Sequence, residues 1–337
     1  MGTERLRLVW FGVLGAALLV PLVLGRNKFG MDLAVSSLLY VTLALGLNIT
    51  VGFAGLLDLG YVAFYAVGAY TYAVLNVHWK VPFVVALPLG GVCAGVAGFF
   101  LGSPTLRLRG DYLAIVTLGF AQMTYLVLNN WMSVTKGPNG LIGIERPSLF
   151  GFLAVKPGGI FLRSADAQPL FKVQPAVAMY YLALALSLFA IFASVRLNDS
   201  RVGRALIAMR EDEQAARGMG INVARLKILA FTLAASLAGL AGVLYSAKVN
   251  FINPESFTFQ ESVLILSMVV LGGMGSVPGV VVGALVLYLM PELMRGWLSS
   301  DKRMLVFGIL MVLMMLFRPQ GLWPSATRRR ELAEKEA

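Results

Sequence analysis

The sequence predicts an all-α protein, a polytopic membrane helical bundle of about ten segments, some of them discontinuous. Three observations carry this. Hydrophobic residues make up 58% of the 337-residue chain and charged residues only 13%, roughly half the charged fraction of a soluble domain. Long uncharged runs recur, most of them near the roughly 20 residues that cross about 30 Å of hydrocarbon as a helix. The runs do not alternate apolar and polar residues as barrel strands do, so helices are left to satisfy the backbone in lipid.

The first run, residues 8–25, follows Arg5 and Arg7, with Arg26 and Lys28 at its far end. It reads as a first span and not as a cleaved signal. Runs at 33–52, 59–76, 81–104 and 112–132 follow, then 173–195, 228–247, 262–291 and 304–317. The run at 262–291 is too long for one crossing. Its centre, GGMGSVPG at 272–279, predicts a break, which is tolerated at depth only where protein or a water-filled cavity covers the backbone. The expected organisation is a tail and first span over residues 1–32, a core over 33–323, and a mixed basic and acidic tail over 324–337.

Small residues recur four apart: Gly91 with Gly95; Ala94 with Gly98 and Gly102; Ala235 with Gly239; Gly279 with Gly283. That spacing lets helix backbones approach closely in lipid. Cys93, the single cysteine, is expected to be a small packing residue. Segment 133–172 carries GPNG at 137–140, then Pro147, Pro157, Gly158 and Gly159. This is turn chemistry in a connection long enough to serve as a docking surface.

The net charge of +11 fits basic loops that orient a membrane protein, and no nucleic-acid partner is expected. With Arg5 and Arg7 inside, residues 133–172 fall outside and residues 196–227 inside. The tail with Arg318 and Arg328 is inside if 262–291 crosses twice or re-enters. One cysteine and one histidine, His78, exclude an internal disulfide and leave no Cys/His metal cluster. No G-x-x-x-x-G-K-[ST] loop is present, and no H-E-x-x-H or G-x-S-x-G. These absences argue against a nucleotide site and an enzyme. Asp58 is the clear charged candidate within the apolar runs. It is either an aspartate favoured by a helix N-terminus or a group lining a path.

Residues 200–227, SRVGRALIAMREDEQAARGMGINVARLK, form a polar island between two apolar runs. Val202, Ala205, Leu206 and Met209 fall at helical spacing over 202–217, and Gly218 and Gly220 end the helix. The island is either a solvated loop helix or a docking helix for a cytosolic partner.

Residues 214–220, QAARGMG, resemble the E-A-A-x-x-x-G loop of ABC importer permeases, with Gln214 in place of the leading Glu. LRLRGDYLAIVTLGF (106–120), GRALIAMREDEQAARGMGI (203–221), NPESFTF (253–259), VVLGGMGS (269–276), PELMR (291–295) and RPQGL (318–322) are similar to the signatures of branched-chain amino acid permeases of that class. The resemblance runs from about residue 43 to residue 323. It implies the ABC importer permease fold in a bacterial cytoplasmic (inner) membrane, surrounded by lipid, with 196–227 as the coupling loop. It also implies uptake of leucine, isoleucine or valine through a path shared with a homologous second permease. Two cytosolic ATPases would carry ATP and Mg, this chain binding no cofactor itself, and a periplasmic protein would deliver the substrate. The ATPase-docking residues it implies are Arg204, Arg210, Glu211, Glu213, Ala215, Ala216 and Gly220. Asn48, Asp58, Tyr61, Tyr65, Gln122, Asn129 and Asn130 are path candidates, and each could equally be a helix–helix hydrogen-bonding residue. Related permeases carry urea or other small solutes. The competing reading is an ion-coupled carrier that depends on Asp58, against which the scarcity of charge in the runs counts.

Overall fold

The computed structural model describes residues 17–21, 27–105, 108, 110–145, 148–149, 153–156, 159–162 and 175–294, with 308–309, 312, 316–318 and 321–323 beyond them. The expected segments 8–25 and 304–317 therefore lie largely outside the described residues. Arg5, Arg7, Arg328 and the tail lie wholly outside them.

Helix α1 is Lys28–Leu47 and runs directly into a π-helical turn, Asn48–Phe53. After an irregular stretch come α2 (Tyr61–Trp79), α3 (Phe83–Thr105), α4 (Asp111–Asn130) and the short α5 (Met132–Thr135). Four short strands follow: β1 (Leu141–Ile142), β2 (Ser148–Leu149), β3 (Leu153–Lys156) and β4 (Gly159–Leu162). Then come α6 (Pro175–Asp199), α7 (Arg201–Glu211), α8 (Glu213–Gly218), α9 (Val223–Val249), β5 (Phe251–Ile252), α10 (Phe259–Gly272) and α11 (Val277–Leu293).

Among the described residues, six helical stretches are long and apolar enough to cross a membrane: Lys28–Phe53, Phe83–Pro104, Tyr112–Asn130, Ala176–Asp199, Val223–Val249 and Pro254–Gly272. Val277–Glu292 is apolar but shorter. The spans are helical as expected. The described residues are consistent with the all-α expectation, the strands being short: β2, β3 and β4 form an antiparallel sheet and β1 pairs with β5, Leu141 opposite Ile252.

Helix α9 is the centre of the bundle, with α2 and α3 against it. The expected small-residue series makes this possible. A Cβ on Gly98 would lie 2.6 Å from that of Ala235, and one on Gly239 would lie 2.5 Å from that of Ala94. At Gly68 an added Cβ would fall on the backbone of Gly239. Cys93 corrects its expectation, because it faces outward. In lipid an apolar residue has no drive to turn inward.

The break predicted at 272–279 is present. α10 stops at Gly272, Gly273 and Gly275 take φ of 112° and 83°, and α11 restarts with the Ser276 hydroxyl accepting from the Gly279 N–H at 3.3 Å. A helix end leaves carbonyls unsatisfied. Here the N–H groups of Leu322 and Trp323 reach back to the carbonyls of Leu271 and Gly272, at 2.8 and 3.1 Å. The connection after α5 is tied down in the same way. Asn76 accepts from the Glu145 N–H at 2.7 Å, Tyr72 donates to the Glu145 carbonyl at 2.8 Å, and Asn250 donates to that of Ile144 at 2.8 Å.

Candidate coupling site

The polar island is three capped pieces, where one helix over 202–217 was expected. Ser200 donates to the Leu197 carbonyl at 2.7 Å and accepts from the Gly203 N–H at 3.0 Å, turning the chain sharply from α6 into α7. Asp212 is extended, and its carboxylate accepts from the N–H groups of Gln214 and Ala215 at 2.7 and 3.0 Å. That cap starts a second helix and so divides the expected one. Gly220, at φ 81°, completes the turn, and Asn222 caps α9 by accepting from the Arg225 N–H at 3.1 Å.

The apolar face of α7 is seated on the bundle. Leu206 and Met209 are buried, and Val202 and Ala205 half-buried. α8 is held by charge. Lys227 at the base of α9 is only 2% exposed and lies 3.3 Å from Glu213. It also donates to the Leu108 carbonyl at 3.4 Å, while Arg217 pairs with Glu213 at 2.6 Å. Removing one partner of such a pair leaves a charge stranded in the interior. Glu213→Ala should therefore destabilise the protein by about 2–3 kcal/mol, and a Glu213→Ala, Lys227→Met double variant should recover most of it. Unfolding in detergent measures both.

The expected docking residues divide by direction. Arg204, Glu211, Ala215 and Gly220 are exposed, Arg204 also donating to the Asp199 carbonyl at 2.9 Å. Ala216 is buried, Glu213 is engaged with Lys227, and Arg210 turns into the bundle. Met219, absent from the expected set, is 84% exposed. Its signal in the sequence was a large apolar residue isolated between Gly218 and Gly220.

Arg210 donates through Nη1 to the carbonyl of Gly52 at 2.6 Å. Gly52 belongs to the π turn that ends α1. In the same turn, Asn48 is fully buried and its Oδ1 accepts from the N–H of Gly275 at 2.8 Å, in the break between α10 and α11. Two side chains thus latch the island, the π turn and the glycine break together. π turns inside α-helices concentrate at functional sites. The Asn48 Nδ2 finds no partner among the described residues.

The remaining path candidates fall into two groups. Asp58 is fully buried. One carboxylate oxygen accepts from the Gly60 N–H at 3.0 Å, and the other has no hydrogen-bond partner among the described residues. Side chains of other helices satisfy the amides around it. Thr117 accepts from the Leu59 N–H, and Ser262 from the Val62 N–H, each at 3.1 Å. Tyr61 donates to the Ala234 carbonyl at 3.4 Å, and the Tyr65 ring packs on Phe257 at 5.2 Å. Gln122 and Asn130 lie instead on the exposed side of α4 with Asn129 half-buried beside them, and Asn130 bonds back to the Leu126 carbonyl at 2.8 Å. Sequence reasoning passed over Glu261, which accepts from the Tyr40 hydroxyl at 2.9 Å. It stands one residue before an apolar run, within NPESFTFQES. Among the described residues, no group of three or more His, Cys, Asp or Glu could hold a metal ion.

Residues 30–315 match the family described as branched-chain amino acid transport system, permease component. The chain belongs to this family. It is 43% identical over 339 residues to the LivM permease protein of the high-affinity branched-chain amino acid transport system of Salmonella typhimurium, a match covering 99% of this chain and 79% of that one. It is 44% identical over 328 residues to LivM of Escherichia coli K12, covering 96% and 76%. LivH, a permease protein of the same E. coli system, is 28% identical over 302 residues, covering 84% of this chain and 90% of its own. No solved structure matches the chain. The latch residues Asn48, Gly52, Arg210 and Gly275 all lie within the span that matches the permease family.

Proposed function

We propose that this permease is the membrane subunit of an ATP-driven importer of leucine, isoleucine and valine. It forms half of a translocation path with a homologous second permease, a pairing supported by its likeness to both LivM and LivH. It crosses the bacterial inner membrane in about ten segments with residues 196–227 in the cytoplasm. A periplasmic binding protein delivers the amino acid, and two cytosolic ATPases supply the work, holding ATP and Mg themselves. The observation that carries this reading is the latch. A docking helix has value only if its movement reaches the path, and Arg210 joins the island to the π turn while Asn48 joins that turn to the glycine break. The docking face is Arg204, Glu211, Ala215, Met219 and Gly220, where small residues admit a close partner and charges set its register.

Reconstitution tests it. Liposomes holding both permeases, the ATPases and the binding protein should accumulate leucine when ATP is supplied. Isoleucine and valine should compete, and urea should not. Omitting the ATPases should abolish accumulation, and dissipating the proton gradient should not. Accumulation without ATPases would sink the proposal and favour a carrier working through Asp58.

A further inference from the structure

Glu261 is the third residue of α10, inside the candidate span Pro254–Gly272. It lies about 16 Å along that helix from the glycine break, toward the opposite end of the bundle from the island. A carboxylate within a span is costly unless it has a partner or a task. Tyr40 donates to it at 2.9 Å, yet it forms no ion pair among the described residues. Lys248, three residues after Tyr245 on α9, is bound to Asp32 at 3.0 Å and to the Ser36 hydroxyl.

What surrounds Glu261 is aromatic. The Tyr40 ring stacks on Tyr288 at 4.6 Å. Tyr65 lies 5.4 Å from Tyr245, and both rings pack on Phe257. Tyr40 from α1, with Tyr288 from α11 stacked on it, thus stands at the carboxylate from α10, and Tyr65 from α2 and Tyr245 from α9 form a second aromatic group on Phe257. Tyr40, Tyr245, Tyr288 and Glu261 are half-buried, not sealed. A tie between two helices needs one donor and one acceptor, and a glutamine would accept from Tyr40 without burying charge. Aromatic rings beside a carboxylate without an ion pair are instead the chemistry that holds an organic ammonium ion.

We propose that Glu261, with Tyr40 and Tyr288 beside it and Tyr65 and Tyr245 in the Phe257 aromatic group, is a station for the α-ammonium group of an amino acid passing through the permease. The amino-acid identity rests on the function proposed above. The ammonium chemistry rests on the cluster alone. Tyr40 already occupies part of the carboxylate, so the ammonium is held weakly and released, as a path requires.

Glu261→Gln keeps the volume and an acceptor for Tyr40 and removes the charge. In the complete reconstituted transporter it should lower leucine uptake at least about tenfold, the scale of a hydrogen bond to a charged group. Assembly and thermal transition should match the wild type. Tyr40→Phe keeps charge and ring and frees the carboxylate oxygen that the hydroxyl occupies, so it should bind an ammonium ligand at least as tightly as the wild type. 3-Methylbutylamine, which has the ammonium and no carboxylate, should bind saturably to the wild-type complex and to Tyr40→Phe, and not to Glu261→Gln. 4-Methylpentanoate, which has no amine, should not bind at the cluster. Unchanged uptake in Glu261→Gln, unchanged amine binding, or loss of assembly in that variant would overturn the proposal, the last by marking the carboxylate as a structural tie. If the wild-type complex accumulates no leucine while amine binding still depends on Glu261, the substrate reading fails and the station stands.

Discussion

Replacing Arg210 with alanine is expected to leave the ATPases bound and to cut uptake sharply. The guanidinium does not belong to the exposed face of the island. It bonds the Gly52 carbonyl at 2.6 Å, inside the bundle. A hydrogen bond from a charged group contributes about 1.5–3 kcal/mol, so losing it should lower the coupled rate by roughly ten- to a hundredfold. Co-purification of the ATPases should be unaffected, and ATP hydrolysis should continue without matching accumulation. Glu211→Ala, on the exposed side, should show the reverse: weaker co-purification, with hydrolysis and uptake falling together. If Arg210→Ala strips the ATPases from the complex, the guanidinium is a docking group and the latch carries no motion.

The second large effect is at Gly68. A side chain there meets the backbone of Gly239 in α9, which cannot yield as a flexible side chain would. Gly68→Val must push α2 from α9 along their shared length, and overpacking of this kind is costly. The expected loss is about 4 kcal/mol or more, among the largest single-site effects. It should appear as little folded protein and a sharply lowered thermal transition in detergent. Gly119→Ala is the control. A Cβ there meets nothing within 4 Å, and alanine favours a helix interior over glycine by about 0.5–1 kcal/mol. Equal tolerance of both substitutions would mean that α2 and α9 are not in backbone contact.

The helices, their close packing and the glycine break were legible because each is written in local residue types. Apolar runs match span lengths, small residues recur at helical spacing, and glycines cluster where a helix must stop. The cap at Asp212 was local too, but the apolar spacing through Met209 concealed it. Direction was not legible. Arg210 and Glu211 are neighbours of equal polarity, and only the tertiary structure sends one to Gly52 and leaves the other in the open. Cys93 and Gln122 show the same gap from the lipid side, since hydrophobicity does not tell a membrane helix which face to bury. Glu261 escaped notice because a boundary drawn by charge excludes the charge that marks it. Its meaning lies in four tyrosines that are distant in sequence.

The closure of the break between α10 and α11 bears on the order of synthesis. The carbonyls of Leu271 and Gly272 are satisfied by amides some fifty residues later, at Leu322 and Trp323. When this helix pair leaves the ribosome, its own cap has not yet emerged. The two carbonyls must borrow water or the insertion machinery until residues 322 and 323 have emerged. Biogenesis is therefore finished from the C-terminal side, and the stretch around Gly321 acts as the final fastener of a region made much earlier.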